Sequence, residues 1–416
     1  MSRTIQNLKD VVDWGLCTGC GACAYACGKN GVRLVNVENV GIRPTFVNDE
    51  CAACGECLAV CPGYTVDSAL ATGTVPKSAE ADHEFGPVLE IWEGFASDPE
   101  VRMRASSGGL LTALSLYCLE REGMASVLHT GQDPEKPWLN KTVQSRGRSD
   151  LLQRTGSRYA PASPCDGLRD IENSSEPCVF VGKPCDTTGA MLARQGRPAL
   201  DQKLGLVLAF FCAGTPSTKG SRDLVSKIDV PLESLSGLRY RGDGWPGRFR
   251  AWVGGEEVSR SFSYQESWGH LQAYRPMRCQ ICPDGLGRVA DISCGDAWEQ
   301  FEGGNDPGRS IVLVRTERGR QVLHRAMDAG YVTLTRVGTE AVMAAQVNLL
   351  TRRREIFGRL LARKLLMIPI PNYIGFSLFR SWAQLPLPEK LRTVFGSLTR
   401  LVQRNLWRRQ PLKVNG

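Results

Sequence analysis

The sequence predicts a mixed protein, α+β and α/β, made of a small cysteine-rich module, a larger α/β body and a basic helical tail. Three observations carry that prediction. Eight of the 16 cysteines fall between Cys17 and Cys61, in two runs offset by 34 positions. Past residue 90, apolar runs that end in Gly, Pro or Cys alternate with helical stretches, as in strands and helices packed in layers. Residues 350–416 hold 14 Lys and Arg against two Glu, a net of +12, so the whole-chain +8 leaves −4 for everything before them. Basicity is therefore a property of the tail, and the body is not expected to bind nucleic acid.

A chain of 416 residues with 42% hydrophobic content has room for two or three domains. Its opening, Met1 to Asp10, is polar, and no run of 18 apolar residues follows. Thiols in this number without a secretory signal fit a reducing compartment. The expected location is cytoplasmic, with the tail offering peripheral contact at the inner membrane face.

The first cysteine run is Cys17-x-x-Cys20-x-x-Cys23-x-x-x-Cys27 and the second is Cys51-x-x-Cys54-x-x-Cys57-x-x-x-Cys61-Pro62. Three thiolates at three-residue steps converge on one cubane, and the longer last step sends the fourth across to the neighbouring cluster. This assigns Cys17, Cys20, Cys23 and Cys61 to one [4Fe-4S] cluster and Cys51, Cys54, Cys57 and Cys27 to a second. Disulfides and zinc are the alternatives; zinc sites rarely need a third cysteine at the same step. Gly28 stands where such runs usually carry proline. The dicluster ferredoxin-type module takes residues 8–75, and the proline-containing stretch 76–90 reads as a linker.

The body begins near Ile91 and extends to residue 345. Ser106, Ser107, Gly108 and Gly109 precede a helix running from Leu110 to Glu122, where the serines offer caps and the glycines close backbone approach. On spacing alone, a plain helix cap is the favoured reading. Strands are expected at 125–129, 178–181, 204–211, 310–314 and 331–334, with a helix over 319–329. The second and third of these strands deliver Cys185 and Cys212 to one sheet edge, where α/β folds bind ligands. Cys279-x-x-Cys282 adds two more thiols, enough for a third cluster. Cys118, Cys165 and Cys178 read as buried free thiols. No Walker A loop and no Gly-x-Gly-x-x-Gly after a strand occurs.

Taken in order, Ser106–Leu114, Gly156–Tyr159, Gly182–Asp186, Phe211-Cys212, Cys279-x-x-Cys282-x-Asp284 and Ala290–Asp296 resemble the coenzyme F420 hydrogenase/dehydrogenase beta-subunit family, in the form fused to a dicluster ferredoxin module. The resemblance implies an FAD-containing iron–sulfur oxidoreductase. It makes Cys185, Cys212, Cys279 and Cys282 ligands of a third [4Fe-4S] cluster and Cys294 a bystander. It also brings the loop of Ser106, Ser107, Gly108, Gly109 and Thr112 to the flavin, reversing the plain-cap reading, with Arg158, Tyr159 and Lys183 as pocket residues. Electrons would pass between the ferredoxin-type clusters and FAD, with hydride transfer to or from coenzyme F420 or a similar acceptor. A chlorophyll-type side chain as substrate, a non-catalytic electron-transfer subunit and an iron–sulfur sensor are the rival readings. The implied partner is a ferredoxin or another oxidoreductase subunit. The tail, 346–416, lies outside these motifs and alternates basic and apolar stretches, an amphipathic extension whose alternative is a pair of helices packed on the body.

Overall fold

The computed structural model describes residues 3–47, 54–71, 84–300 and 306–412. Cys51 and most of the expected linker lie outside the described residues.

The cysteine-rich module holds three short helices, Leu8–Asp13, Ala22–Ala26 and Glu56–Ala59, and a hairpin of β1 (Val32–Val37) and β2 (Gly41–Phe46), paired antiparallel from Val32 opposite Phe46 to Val37 opposite Gly41. A short β3 (Thr65–Asp67) ends it. The body is built on an eight-stranded mixed sheet. Its strands in chain order are β4 (Glu90–Ala96), β5 (Val127–Gln132), β6 (Asn140–Ser145), β7 (Cys178–Gly182) and β8 (Leu204–Phe210), and later β13 (Ile292–Asp296), β14 (Ser310–Val314) and β15 (Val332–Arg336). The order across the sheet is β15-β4-β14-β13-β8-β7-β5-β6. The four strands β13, β8, β7 and β5 run parallel and form its centre. Between β8 and β13 the chain makes a small antiparallel sheet from β9 (Leu235–Arg239), β10 (Arg248–Val253), β11 (Glu256–Glu257) and β12 (Phe262–Ser263).

The unbroken apolar run of β8 follows from burial on both faces. Leu206 and Leu208 pack with Leu114 and Cys118 of the helix Leu110–Arg121. Val207 and Ala209 point the other way, toward Ala190 and Met191 of the helix Pro184–Gln195. That second layer also carries Cys20, Ala22 and Tyr25 of the cysteine-rich module. The module thus sits on the sheet through the helix that follows β7. Ser163 Oγ donates to the Gly19 carbonyl at 2.6 Å, and the Cys165 N–H donates to the Cys20 carbonyl at 3.0 Å.

The tail is part of the same core. Its strand β16 (Asn372–Ile374) pairs in parallel with β3, and Ile356, Leu360, Ile368, Phe376 and Leu401 share one apolar cluster with Leu8, Val11, Leu16, Cys17 and Cys57. Two of its arginines are buried rather than solvated. Arg363 donates to the Trp14 and Pro369 carbonyls, and Arg353 to the Phe376 carbonyl and Ser381 Oγ. The helix Leu387–Gln403 turns Thr393, Ser397 and Leu401 inward and leaves Leu387, Leu391, Phe395 and Val402 exposed. Among the described residues no helix is long and apolar enough to cross a membrane.

Candidate cofactor-binding relay

The first quartet gathers in the module. Cys17, Cys20, Cys23 and Cys61 lie within electrostatic reach of one another, and all four are buried. Gly19, Gly21 and Gly55 adopt left-handed backbone conformations that let the cysteine loops turn. Burial pushes the Cys17, Cys23 and Cys61 thiols up, whereas a hydrogen bond from the Cys165 thiol moves Cys20 down. Of the second quartet, Cys27 and Cys57 are buried and Cys54 is exposed; Cys51 is outside the described residues.

The second gathering lies between module and body. Cys185, at the start of the helix after β7, and Cys212, just past β8, meet Cys279 and Cys282 from the turn near Pro276 around one small cavity. Cys17 lines the same cavity, together with Arg43, Lys183, Arg278, Asp284 and Arg352. Burial raises the Cys185 and Cys282 thiols and pushes Cys212 up to about 12. Lys183 opposes that trend. Its Nζ lies 2.6 Å from Asp186 Oδ2, with both side chains buried. Burial works against its charge, but Asp186 and then Cys185 hold its pKa above the usual lysine range. Among the described residues, no three His, Cys, Asp or Glu side chains crowd closely enough to hold one metal ion.

A larger cavity of about 360 Å³ opens on the body side of the same wall, sharing Ala162, Lys183, Cys212, Gly214 and Thr215 with the small one. Ser106, Ser107, Gly109, Thr112, Arg158 and Tyr159 line it. The serines do not cap the helix, unlike the plain-cap reading that spacing alone favours. Ser106 Oγ accepts the Ser157 N–H at 2.5 Å, and Ser107 Oγ reaches Ser310 Oγ and the Arg309 carbonyl. Gly109 itself is the cap residue, at φ +77°, so the first N–H groups of Leu110–Arg121 have no side-chain partner. Gly108 does not line the cavity. Its N–H donates to Ser310 Oγ, and a Cβ there would stand 2.6 Å from the Gly94 carbonyl oxygen, so its part is close packing.

Arg158 forms wall rather than presenting charge. Its guanidinium donates to Asn140 Oδ1, Gln132 Oε1 and the carbonyls of Leu238, Pro137 and Leu139. Asp291 lies away from both cavities, accepting from the Val207 N–H and Thr316 and pairing with Arg318. The sequence reading missed the far wall. Arg241 pairs through two nitrogens with Asp296 at 3.1 and 2.6 Å, and Trp245 Nε1 donates to the same carboxylate at 2.7 Å. Tyr264 and Trp298 stack at 5.2 Å beside this pair, and Arg241 lies 4.6 Å over the Tyr264 ring. The Arg239–Gly247 run, with three glycines and two arginines, is the sequence feature that could have pointed there. Cys294 also lines this cavity, as does His129, whose pKa burial lowers to about 4.

Comparison with known proteins agrees with this architecture. Residues 91–168 and 176–340 match the N-terminal and C-terminal parts of the family described as coenzyme F420 hydrogenase/dehydrogenase, beta subunit, and residues 16–64 match a 4Fe-4S dicluster domain. The chain is 26% identical to a coenzyme F420-dependent sulfite reductase of Methanocaldococcus jannaschii over 76% of its own length, spanning 47% of that protein. It is 25% identical to the coenzyme F420 hydrogenase subunit beta of Methanothermobacter thermautotrophicus, over 59% of this chain and 84% of that one. A chain of the F420-reducing [NiFe] hydrogenase complex from Methanosarcina barkeri shares the fold, with a TM-score of 0.54 and 21% identity over 70% of this chain and 97% of that chain. Two family segments in order, on one sheet and beside a 4Fe-4S dicluster domain, place this chain in the coenzyme F420 hydrogenase/dehydrogenase beta-subunit family, in its ferredoxin-fused form.

Proposed function

We propose that the chain is an iron–sulfur flavoprotein that relays electrons from the dicluster module, through a third [4Fe-4S] cluster on Cys185, Cys212, Cys279 and Cys282, to FAD in the larger cavity. One observation carries this reading. Cys17 of the first quartet and all four thiols of the proposed third lie around the small cavity, and Cys212 and Lys183 are shared with the larger one. The residues proposed for the three groups therefore line adjoining cavities, which supports stepwise single-electron transfer.

The residue types around the two cavities support this reading. Four thiols and an excess of cationic side chains suit a thiolate-ligated cluster, whose net charge is negative. The uncapped N-terminus of Leu110–Arg121, with Ser157 and Thr155 beside it, suits the diphosphate of FAD. A volume of about 360 Å³ with an aromatic wall suits a planar ring system. FAD supplies the exchange between one-electron steps and a two-electron hydride transfer, to or from coenzyme F420 or a similar acceptor. The chain contributes position and field: Lys183 fixes positive charge between the two cavities, and Arg241 with Asp296 holds Tyr264 and Trp298 in a rigid stack.

The exposed Cys54 supports docking of a redox partner, a ferredoxin or another oxidoreductase subunit, beside the second cluster. The membership of relatives in multi-subunit enzymes favours, as a second reading, an electron-transfer subunit without turnover of its own. The apolar stripe Leu387, Leu391, Phe395 and Val402, with exposed Arg392 beside it, supports peripheral contact with an anionic membrane surface. Anaerobic purification with iron, sulfide and flavin analysis tests the cofactor set. About twelve iron atoms and one FAD per chain are expected; about eight iron atoms would remove the third cluster.

A further inference from the structure

Five charged side chains line the small cavity, and four of them are engaged within the protein. Arg43 donates to the Ile42 and Val40 carbonyls, and Arg352 to the Ala213 and Cys212 carbonyls. Asp284 accepts the N–H groups of Leu286, Gly287 and Arg288, and Lys183 pairs with Asp186. Arg278 differs. It is 2% exposed, and its Nε and Nη1 are buried without any hydrogen-bond partner. Two unmet donors on a buried cation call for an anionic partner nearby.

Its position identifies that anion. Nη2 donates at 3.0 Å to the carbonyl of Pro62, the residue after Cys61 of the first quartet. The side chain adjoins Cys279 in sequence and lines the cavity with Cys17, Cys185, Cys212 and Cys282. Tyr373 fixes it from behind: the guanidinium lies 5.5 Å from the ring centroid, and the Tyr373 hydroxyl donates to the Ile281 carbonyl at 2.8 Å. The guanidinium is thereby held between the two cysteine quartets.

We propose that Arg278 is a potential-setting residue, a buried cation that donates to the proposed third cluster and raises its reduction potential, so that an electron arriving on the dicluster module moves onward. The inference rests on the three-cluster reading given above. A cluster held by Cys185, Cys212, Cys279 and Cys282 would gain one electron and one negative charge on reduction. The fixed Arg278 cation would stabilise that reduced form and favour transfer from a cluster held by Cys17, Cys20, Cys23 and Cys61.

The test is an EPR-monitored redox titration of the full chain, purified anaerobically, as wild type, Arg278→Gln and Arg278→Lys. The Cys279→Ser/Cys282→Ser protein identifies the third-cluster signal as the one it lacks. If that protein keeps about twelve iron atoms, the cluster reading fails, independently of Arg278. With full iron, Arg278→Gln should shift the one-electron equilibrium of the third cluster at least tenfold toward the oxidised form, about 59 mV. The other two signals should stay in place, and Arg278→Lys should stay close to the wild-type potential. If Arg278→Gln loses four iron atoms while Arg278→Lys keeps them at the wild-type potential, the proposal is supported as well. Unaltered potentials in fully loaded Arg278→Gln, or loss of iron from both variants, would overturn it.

Discussion

Replacing Lys183 with methionine probes the wall on which the two cavities meet. In the native chain Lys183 Nζ and Asp186 Oδ2 stand 2.6 Å apart, with side chains 8% and 1% exposed. Removing one member of such a pair costs about 3–5 kcal/mol, because the remaining charge stays buried without its partner. Asp186 keeps the backbone N–H of Lys183 at 3.0 Å, but its Oδ1 has no partner even in the native chain. Its carboxyl is already raised by burial, so in Lys183→Met it should take up a proton well above the usual carboxylate range. Between that raised value and the ordinary one near 3.9, the folded state binds more protons than the unfolded state, so the variant regains stability as pH falls. The double variant Lys183→Met/Asp186→Asn removes both charges and keeps the cap on the helix Pro184–Gln195, so it should recover most of the loss. Anaerobic urea unfolding at pH 6 and pH 8, with linear extrapolation, measures all three proteins. A loss below about 1 kcal/mol in the single variant, unchanged between the two pH values, would refute the account of a charged buried pair.

Other outcomes follow from the same geometry. Gly295→Ala would place a Cβ 1.9 Å from the Phe211 ring, so it should cost about 1–3 kcal/mol in urea unfolding and lower the bound flavin per chain. Burial lowers the His129 pKa to about 4 from an ordinary value near 6.5, so native stability should fall by up to about 3 kcal/mol as pH drops through that window. His129→Gln should flatten that slope; an equally steep profile would assign the effect to other groups. Wild-type protein should sediment with vesicles containing anionic lipid and remain in solution with neutral ones. Leu391→Ser/Phe395→Ser should abolish the sedimentation without changing the unfolding transition, whereas equal binding by both proteins would remove the tail from this role.

Much of the fold was written locally. The run Leu204–Phe210 is apolar on both faces because both faces of β8 are covered, and Cys178–Gly182 breaks at Gly182 and Pro184, where the helix begins. The cysteine spacing was legible because ligation of a cubane imposes it. Other features have no local signature. Strands β3 and β16 are three residues each and some 300 positions apart, so nothing in either announces their pairing or the entry of the tail into the module's core. The tail's charge suggested a solvated face, yet Arg353 and Arg363 are buried on carbonyls, a role that depends on which backbone groups the fold leaves open. The serines of Ser106–Gly109 matched a cap by type. The backbone instead turned at Gly109, because Ser310 and Ser157 from distant strands and loops compete for them. The Arg241–Asp296 pair escaped notice for the same reason, since its partners are 55 positions apart.

Anaerobic rapid mixing of reduced ferredoxin with the full chain, followed through flavin absorbance, tests the relay most directly. The comparison is wild type against Cys279→Ser/Cys282→Ser protein that retains its FAD and about eight iron atoms. The relay predicts fast flavin reduction in wild type and a loss of at least about a hundredfold in the variant, with the dicluster signals still reduced by the donor. That loss corresponds to about 2.7 kcal/mol on the barrier. Flavin reduction at the wild-type rate in the variant would contradict it, because electrons would then reach the flavin without passing the Cys185, Cys212, Cys279 and Cys282 site.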